Sequence, residues 1–296
     1  MRTLLVFLLL LAAALLLGAV ANYPMTVWLD GRAEPHQISN TLAKLAAVPL
    51  VALAAWYLGV GCWRAIGYNL PAAAFWRELA WGWLAGVAMM VPLLGLLLLV
   101  GVRVLRPLDG ELWETVLRAA LVGLVAGLIV AVVEETFIRG VIYSSMRREA
   151  GVLFSVVVSS LYFAGLHFIS PPALAESEYG VWQGLTMLAD SFTAFYAPWA
   201  IVDAFIALTM AGVLLALVRE VRGGLAFVIG MHAGWVVVIK VGKSASDVDV
   251  HSPWLWGIGS YDEVSGWISV LWVVLLLLGW WGWRRAENRG QQRGVV

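Results

Sequence analysis

Apolar residues recur along this chain in runs of membrane-spanning length, and a bilayer core about 30 Å thick takes roughly 20 such residues per helical crossing. Eight runs qualify: Leu4 to Val20, Leu45 to Trp63, Trp81 to Val102, Thr115 to Val133, Val152 to Ile169, Phe195 to Val218, Leu225 to Val241 and Val264 to Trp283. At 296 residues the chain could otherwise be read as about two soluble domains. Its 62% hydrophobic and 13% charged residues exclude that, since soluble domains carry about 25% charged residues. The expected fold is all-α: a polytopic integral membrane protein, a bundle of about eight transmembrane helices, with the lipid bilayer as its first partner.

Nineteen basic and nineteen acidic residues cancel, so no nucleic-acid partner is expected. One cysteine, Cys62, supports neither a disulfide framework within the chain nor a Cys-type zinc site. With the N-terminus inside, twelve basic residues fall on the inner side, among them Arg64, Arg77, Arg147, Arg148, Arg219 and Arg222, and seven on the outer. The bias predicts cytoplasmic N- and C-termini in a multi-pass protein of the plasma (inner) membrane. Ala19-Val20-Ala21 also resembles a signal-cleavage site, but the weak n-region, with Arg2 alone, and the even number of spans favour a retained first helix. No repeat and no linker divides the chain. Ser170 to Ser191 and Gly242 to Glu263 read as outer connections, with a lid over the bundle as one use for them, and the tail from Arg284 as a disordered stop-transfer flank.

Ionisable residues within spans cost roughly 2.5 to 3.5 kcal/mol each at the bilayer centre, which makes them functional candidates by default. Here they are Glu134, Glu135, Arg139, His167, Asp203 and His232. Glu135 and Arg139, at i and i+4, share a helix face and predict a structural ion pair. Glu134 points about 100° away and is left to find water or a group on another helix. A rise of roughly 1.5 Å per residue puts Glu134 about 20 Å and His167 about 24 Å from the turn at Arg147 to Gly151, with His232 and Asp203 at a similar middle level. Gly123, Gly127, Gly165, Gly230 and Gly234 surround these positions and would let the helices approach closely.

A carboxylate and an imidazole facing each other across a helical hairpin can hold a water and take its proton. A second imidazole can then donate to the oxyanion formed when that water attacks a carbonyl. Glu134, His167 and His232 supply these groups, and the same three could instead form a catalytic zinc set. A proton relay in a transporter is a third use of such residues, disfavoured because no inverted repeat is present.

These residues stand in three motifs. Glu134-Glu135-Thr136-Phe137-Ile138-Arg139 matches EExxxR, Phe163 to His167 matches FxxxH, and His232 opens a third motif of the HxxxN or HxxxB kind. In order and spacing the chain resembles, over roughly Trp113 to Lys240, the CPBP (CAAX protease and bacteriocin-processing) family, also called ABI, whose eukaryotic members include the type II CAAX prenyl endopeptidase. The division that follows is an N-terminal three-helix membrane region (1–112), a catalytic core (113–242), and an outer loop, last helix and basic tail (243–296).

The resemblance implies an intramembrane endopeptidase acting on a membrane-embedded or prenylated peptide. Glu134 and His167 would activate water, with Glu135, Arg139 and Phe163 in support. His232 and the residue four positions on, Val236, would stabilise the oxyanion. Valine has no side-chain donor, so Trp235 and Lys240 are candidates to replace it. The resemblance favours glutamate-dependent catalysis without a cofactor over the zinc-dependent form. Val236 also supports a rival reading, a weakly active or inactive scaffold or immunity protein.

Overall fold

Inside a bilayer, helix is the conformation that satisfies every backbone polar group within one segment, and leucine- and alanine-rich runs favour it intrinsically. The structure, a computed structural model describing residues 2–107 and 110–293, follows this rule. Its helices are α1 (Arg2–Val20), α2 (Asn22–Leu29), α3 (Pro35–Tyr57), α4 (Ala72–Leu99), α5 (Gly110–Glu135), α6 (Tyr143–Leu166), α7 (Gln183–Asp190), α8 (Val202–Arg222), α9 (Ala226–Ala245) and α10 (Trp267–Arg293). Two three-residue strands, β1 (Arg103–Leu105) and β2 (Ser246–Val248), pair antiparallel and tie the exit of α4 to the exit of α9. The fold is an all-α polytopic membrane protein.

Six helical stretches among the described residues are long and apolar enough to cross a membrane. One of them, Gly110–Leu166, doubles back on itself. Gly151 takes φ +80°, which favours glycine, and the Arg139 guanidinium lies 4.4 Å from the Phe163 ring, each residue twelve positions from that glycine. Trp267–Gly282 is a further, shorter apolar helix.

Several expected boundaries move. Helix α3 begins ten residues before the run at Leu45, because Pro35 starts it and its polar first turns are held by Asn22, whose amide donates to the Pro35 carbonyl and to Ser39. Trp63 lies outside α3, in a loop punctuated by Gly59 and Gly67 at positive φ. Helix α8 begins at Val202 rather than Phe195, where the chain makes short 3₁₀ turns. The tail from Arg284, expected to be disordered, continues α10 to Arg293. Within Ser170 to Ser191 the unforeseen α7 packs on α1, Gly184 against the Ala19 carbonyl.

Helix α9 is the centre of the bundle. On one side Gly82 and Gly86 of α4 meet the carbonyls of Phe227 and Met231, and Gly230 and Gly234 of α9 meet those of Leu79 and Trp83. The two backbones touch through reciprocal small residues, the means by which membrane helices pack most closely. On the other side Gly127 and Gly123 of α5 face Ala233, Val236 and Val237, running the opposite way. Gly165 has no neighbour within 4 Å of where a methyl would stand, so it serves no close approach.

A methyl at Gly230 would collide with the Leu79 carbonyl oxygen and reach within 2.7 Å of the Trp83 nitrogen. Gly230→Ala is therefore expected to destabilise the protein by about 1–3 kcal/mol, the usual cost of overpacking. Thermal unfolding in detergent checks this: the midpoint should fall for Gly230→Ala and hold or rise for Gly165→Ala.

Candidate active site

Glu134 and Glu135 close α5, and the chain continues without a break into a π-helical turn, Thr136–Ile142, before α6 begins. Single π turns interrupt α-helices most often at functional sites. The Tyr68 hydroxyl, from the loop after α3, braces this one at 2.6 Å from Thr136 Oγ1.

Below the turn the polar residues form one network. The Glu135 carboxylate is fully buried, and its Oε1 accepts from Arg139 Nη1 at 3.1 Å and from His232 Nδ1 at 2.8 Å. Arg139, also fully buried, donates from Nη2 to the Gly212 carbonyl of α8 at 3.2 Å and lies over the Phe163 ring of α6. One guanidinium thus joins the π turn to α6 and α8, and through Glu135 to α9. The i,i+4 ion pair expected from sequence is present.

Both imidazoles are held by Nδ1. His167, at the C-terminal end of α6, has its Nδ1 2.8 Å from the Phe163 carbonyl oxygen. A carbonyl only accepts, so that nitrogen carries the proton and the neutral ring keeps its lone pair on Nε2. His232 donates from Nδ1 to Glu135, and its Nε2 faces Glu134 Oε2 at 4.0 Å. The Phe163 ring is shared: its centroid lies 4.7 Å from that of His167 and 6.0 Å from that of His232.

Glu134 has a different environment from its neighbour. Its side chain keeps 35% of its accessible surface, so the group can be reached, while its Oε2, like Glu135 Oε2, is buried without a hydrogen-bond partner. Among the described residues no contact within 4.0 Å joins it to His167. The two stand nearly level, seventeen and sixteen positions from Gly151. Glu134 Oε2 thus faces His232 Nε2 without bonding it, and Phe163 packs against both imidazoles.

The remaining sequence candidates separate. Val236 packs its side chain against Gly127 of α5, and Lys240 lays its stem along Gly123, two to three helical turns from Glu134, so neither reaches the space beside His232. Trp235 sits 6.3 Å from the His232 ring, with a buried Nε1 that has no partner, and packs with Leu214, Leu215, Val228 and Met231. Asp203, in the first turn of α8, accepts from the Ala204 backbone N–H at 2.8 Å and borders Gly259, and among the described residues no hydrogen bond or ion pair joins it to Glu134 or either histidine. Among the described residues no three His, Cys, Asp or Glu side chains converge as a metal would require.

One residue escaped sequence reasoning. Tyr261, in the loop between β2 and α10, packs its ring 6.3 Å from His167 and 5.0 Å from Phe168. Partial burial, with 42% of its surface still exposed, together with the carboxylates of Asp262 and Glu134 pushes its hydroxyl up to about 12, so it remains protonated at neutral pH. No local pattern marks a tyrosine in an acidic loop as part of a site built thirty to one hundred and thirty residues away.

Residues 116–238 match a family model described as type II CAAX prenyl endopeptidase Rce1-like. The matched segment holds all three motifs and covers less than half of the chain. It bears out the resemblance read from those motifs and supports a CAAX-type intramembrane protease in general. No curated protein and no solved structure matches the chain.

Proposed function

We propose that this chain is an intramembrane endopeptidase that hydrolyses a peptide bond of a membrane-embedded or prenylated peptide, with Glu134 and His167 activating water and His232 stabilising the oxyanion. The observation that carries this reading is the Glu134 Oε2 atom, buried, without a partner and 4.0 Å from His232 Nε2. A buried oxygen left unsatisfied costs about 1–3 kcal/mol, which a bound water would relieve.

In the proposed reaction Glu134 takes one proton from that water while its oxygen bonds to the substrate carbonyl carbon. His167, with Nδ1 committed to Phe163, holds the water through the Nε2 lone pair. The charge that develops on the carbonyl oxygen meets the Nε2–H of a doubly protonated His232, whose Nδ1–H stays on Glu135. The proton on Glu134 then passes to the leaving nitrogen, the C–N bond breaks, and an acid and an amine are released. The base contributes roughly 10²–10⁴-fold and each oxyanion donor roughly 10²–10³-fold.

A zinc-dependent form would need Glu134, His167 and His232 to converge on one ion. Their present spacing does not provide that set, so no step is assigned to a metal. Purified protein distinguishes the two. On the water-activation reading His167→Ala lowers turnover by roughly 10²–10⁴-fold, and zinc content is the same before and after. Stoichiometric zinc that disappears with His167→Ala would favour the metal.

The proposed orientation, both termini cytoplasmic in the plasma (inner) membrane, is supported by basic residues gathered at one end of the bundle. Arg147 pairs with Glu220 at 2.6 Å, Arg222 with Glu78 at 3.5 Å, and Arg148 donates to the Gly59 carbonyl at 2.8 Å. The scaffold reading keeps one observation in its favour, the absence of a donor at Val236. It predicts that partner capture survives Glu134→Gln.

A further inference from the structure

The loop from Gly257 to Gly266 is tied on both sides of its one aromatic tip. Ser260 Oγ donates to the Ala200 carbonyl at 3.2 Å, fastening the loop to the approach of α8. Asp262 accepts from the backbone N–H groups of Val264 and Ser265 and from the Ser265 hydroxyl, at 3.0, 2.5 and 2.8 Å. Lys243, in the last turn of α9, donates to the Asp262 carbonyl at 3.2 Å. Arg103 of β1, buried to 2% exposure, reaches both the Glu263 carbonyl at 3.4 Å and its carboxylate at 3.6 Å. Gly259 and Glu263 hold positive φ on either side of the tip, as a tightly reversed segment requires.

This bracing serves to place Tyr261. Its ring stands edge-on to His167 and leans on Phe168, and among the described residues its hydroxyl has no hydrogen-bond partner. A phenol held by three separate elements against a site histidine, and left with a free O–H, is a preorganised donor, the property that gives oxyanion stabilisation its strength. Its ring packs on His167, the histidine that holds the water in the proposed reaction, and a hydroxyl titrating near 12 stays protonated at neutral pH and donates rather than abstracts protons. Val236, turned into the α5 interface, offers no donor, and Trp235 lies on the α8 and α10 side of α9.

We infer that the Tyr261 hydroxyl is a catalytic hydrogen-bond donor to the oxyanion, acting with His232 and brought to the site by the Gly257–Gly266 loop. The inference rests on the endopeptidase reading. It also gives the loop a purpose, since the bonds at Ser260, Asp262 and Glu263 would otherwise rigidify a segment with nothing to position.

The test uses the full chain in proteoliposomes and an internally quenched farnesylated peptide ending in a CAAX sequence, comparing wild type with Tyr261→Phe, Trp235→Phe and Glu134→Gln. Phenylalanine keeps the ring on His167 and Phe168 and removes the hydroxyl alone. The expected result is a fall in kcat of about 10²-fold for Tyr261→Phe, with KM within about threefold and an unchanged thermal midpoint. Wild-type kcat in Tyr261→Phe beside an inactive Glu134→Gln overturns the tyrosine and spares the protease. The same holds if Tyr261→Phe raises only KM, or if Trp235→Phe shows the loss instead. Wild type no faster than Glu134→Gln overturns the endopeptidase reading and this inference with it.

Discussion

Glu134→Gln is expected to lower turnover by about 10⁴-fold, the upper end for loss of a general base, while the protein unfolds at or above the wild-type temperature. The two halves of this prediction have one cause. Glutamine matches glutamate in shape, but its amide cannot accept the proton of an attacking water, so the barrier rises by about 5.5 kcal/mol. Stability does not follow, because Glu134 Oε2 has no partner to lose. Replacing a carboxylate in that position removes a desolvation cost rather than a bond. Sites that keep such unsatisfied groups commonly trade stability for activity. Turnover of the farnesylated peptide and calorimetry on the same preparation measure both halves. Wild-type turnover would remove Glu134 from the mechanism, and a large drop in midpoint would make its role structural.

How much of this was legible in the sequence differs from residue to residue. Hydropathy placed the spans, because each crossing must bury about twenty apolar residues whatever its neighbours are. It misplaced the start of α3, where polar residues such as Ser39 are satisfied by Asn22 instead of by water. The level shared by Glu134 and His167 could be counted, since both arms of the hairpin rise from its turn at a common rate, and that of His232 from the turn after Arg222. The i,i+4 link of Glu135 to Arg139 followed from helix geometry for the same reason. The π turn could not be anticipated, since its bracing contact comes from Tyr68, sixty-eight positions away. Asp203 shows the limit of depth alone: its helix-terminal position turns it to the Ala204 N–H. Tyr261 depends on the bonds of Arg103 and Lys243 to its loop, which join segments up to 160 positions apart.

Arg139→Ala is expected to do the reverse of Glu134→Gln, lowering stability by several kcal/mol through a residue that takes no part in the chemistry. Breaking a buried ion pair by removing one partner costs about 3–5 kcal/mol, because the other charge stays behind without compensation. Here Glu135, with no exposed surface, would be left with His232 as its remaining partner. The stacking on Phe163 and the bond to the Gly212 carbonyl would go as well, loosening α6 and α8 from the π turn. Against a total stability of about 5–15 kcal/mol, this removes a large share of the margin. Arg139→Lys should recover only part of the loss, since one ammonium cannot reach Glu135 and Gly212 in the planar fork that arginine provides. The double variant Glu135→Gln, Arg139→Leu should regain more than Arg139→Leu alone: the glutamine carbonyl can still accept from His232 Nδ1, and no lone charge is buried. Denaturant titration of the four proteins in one detergent reads this coupling. A single Arg139→Ala within about 1 kcal/mol of wild type, the range of an exposed pair, would mean that water reaches Glu135 and that the anchor of His232 is not the dry ion pair described.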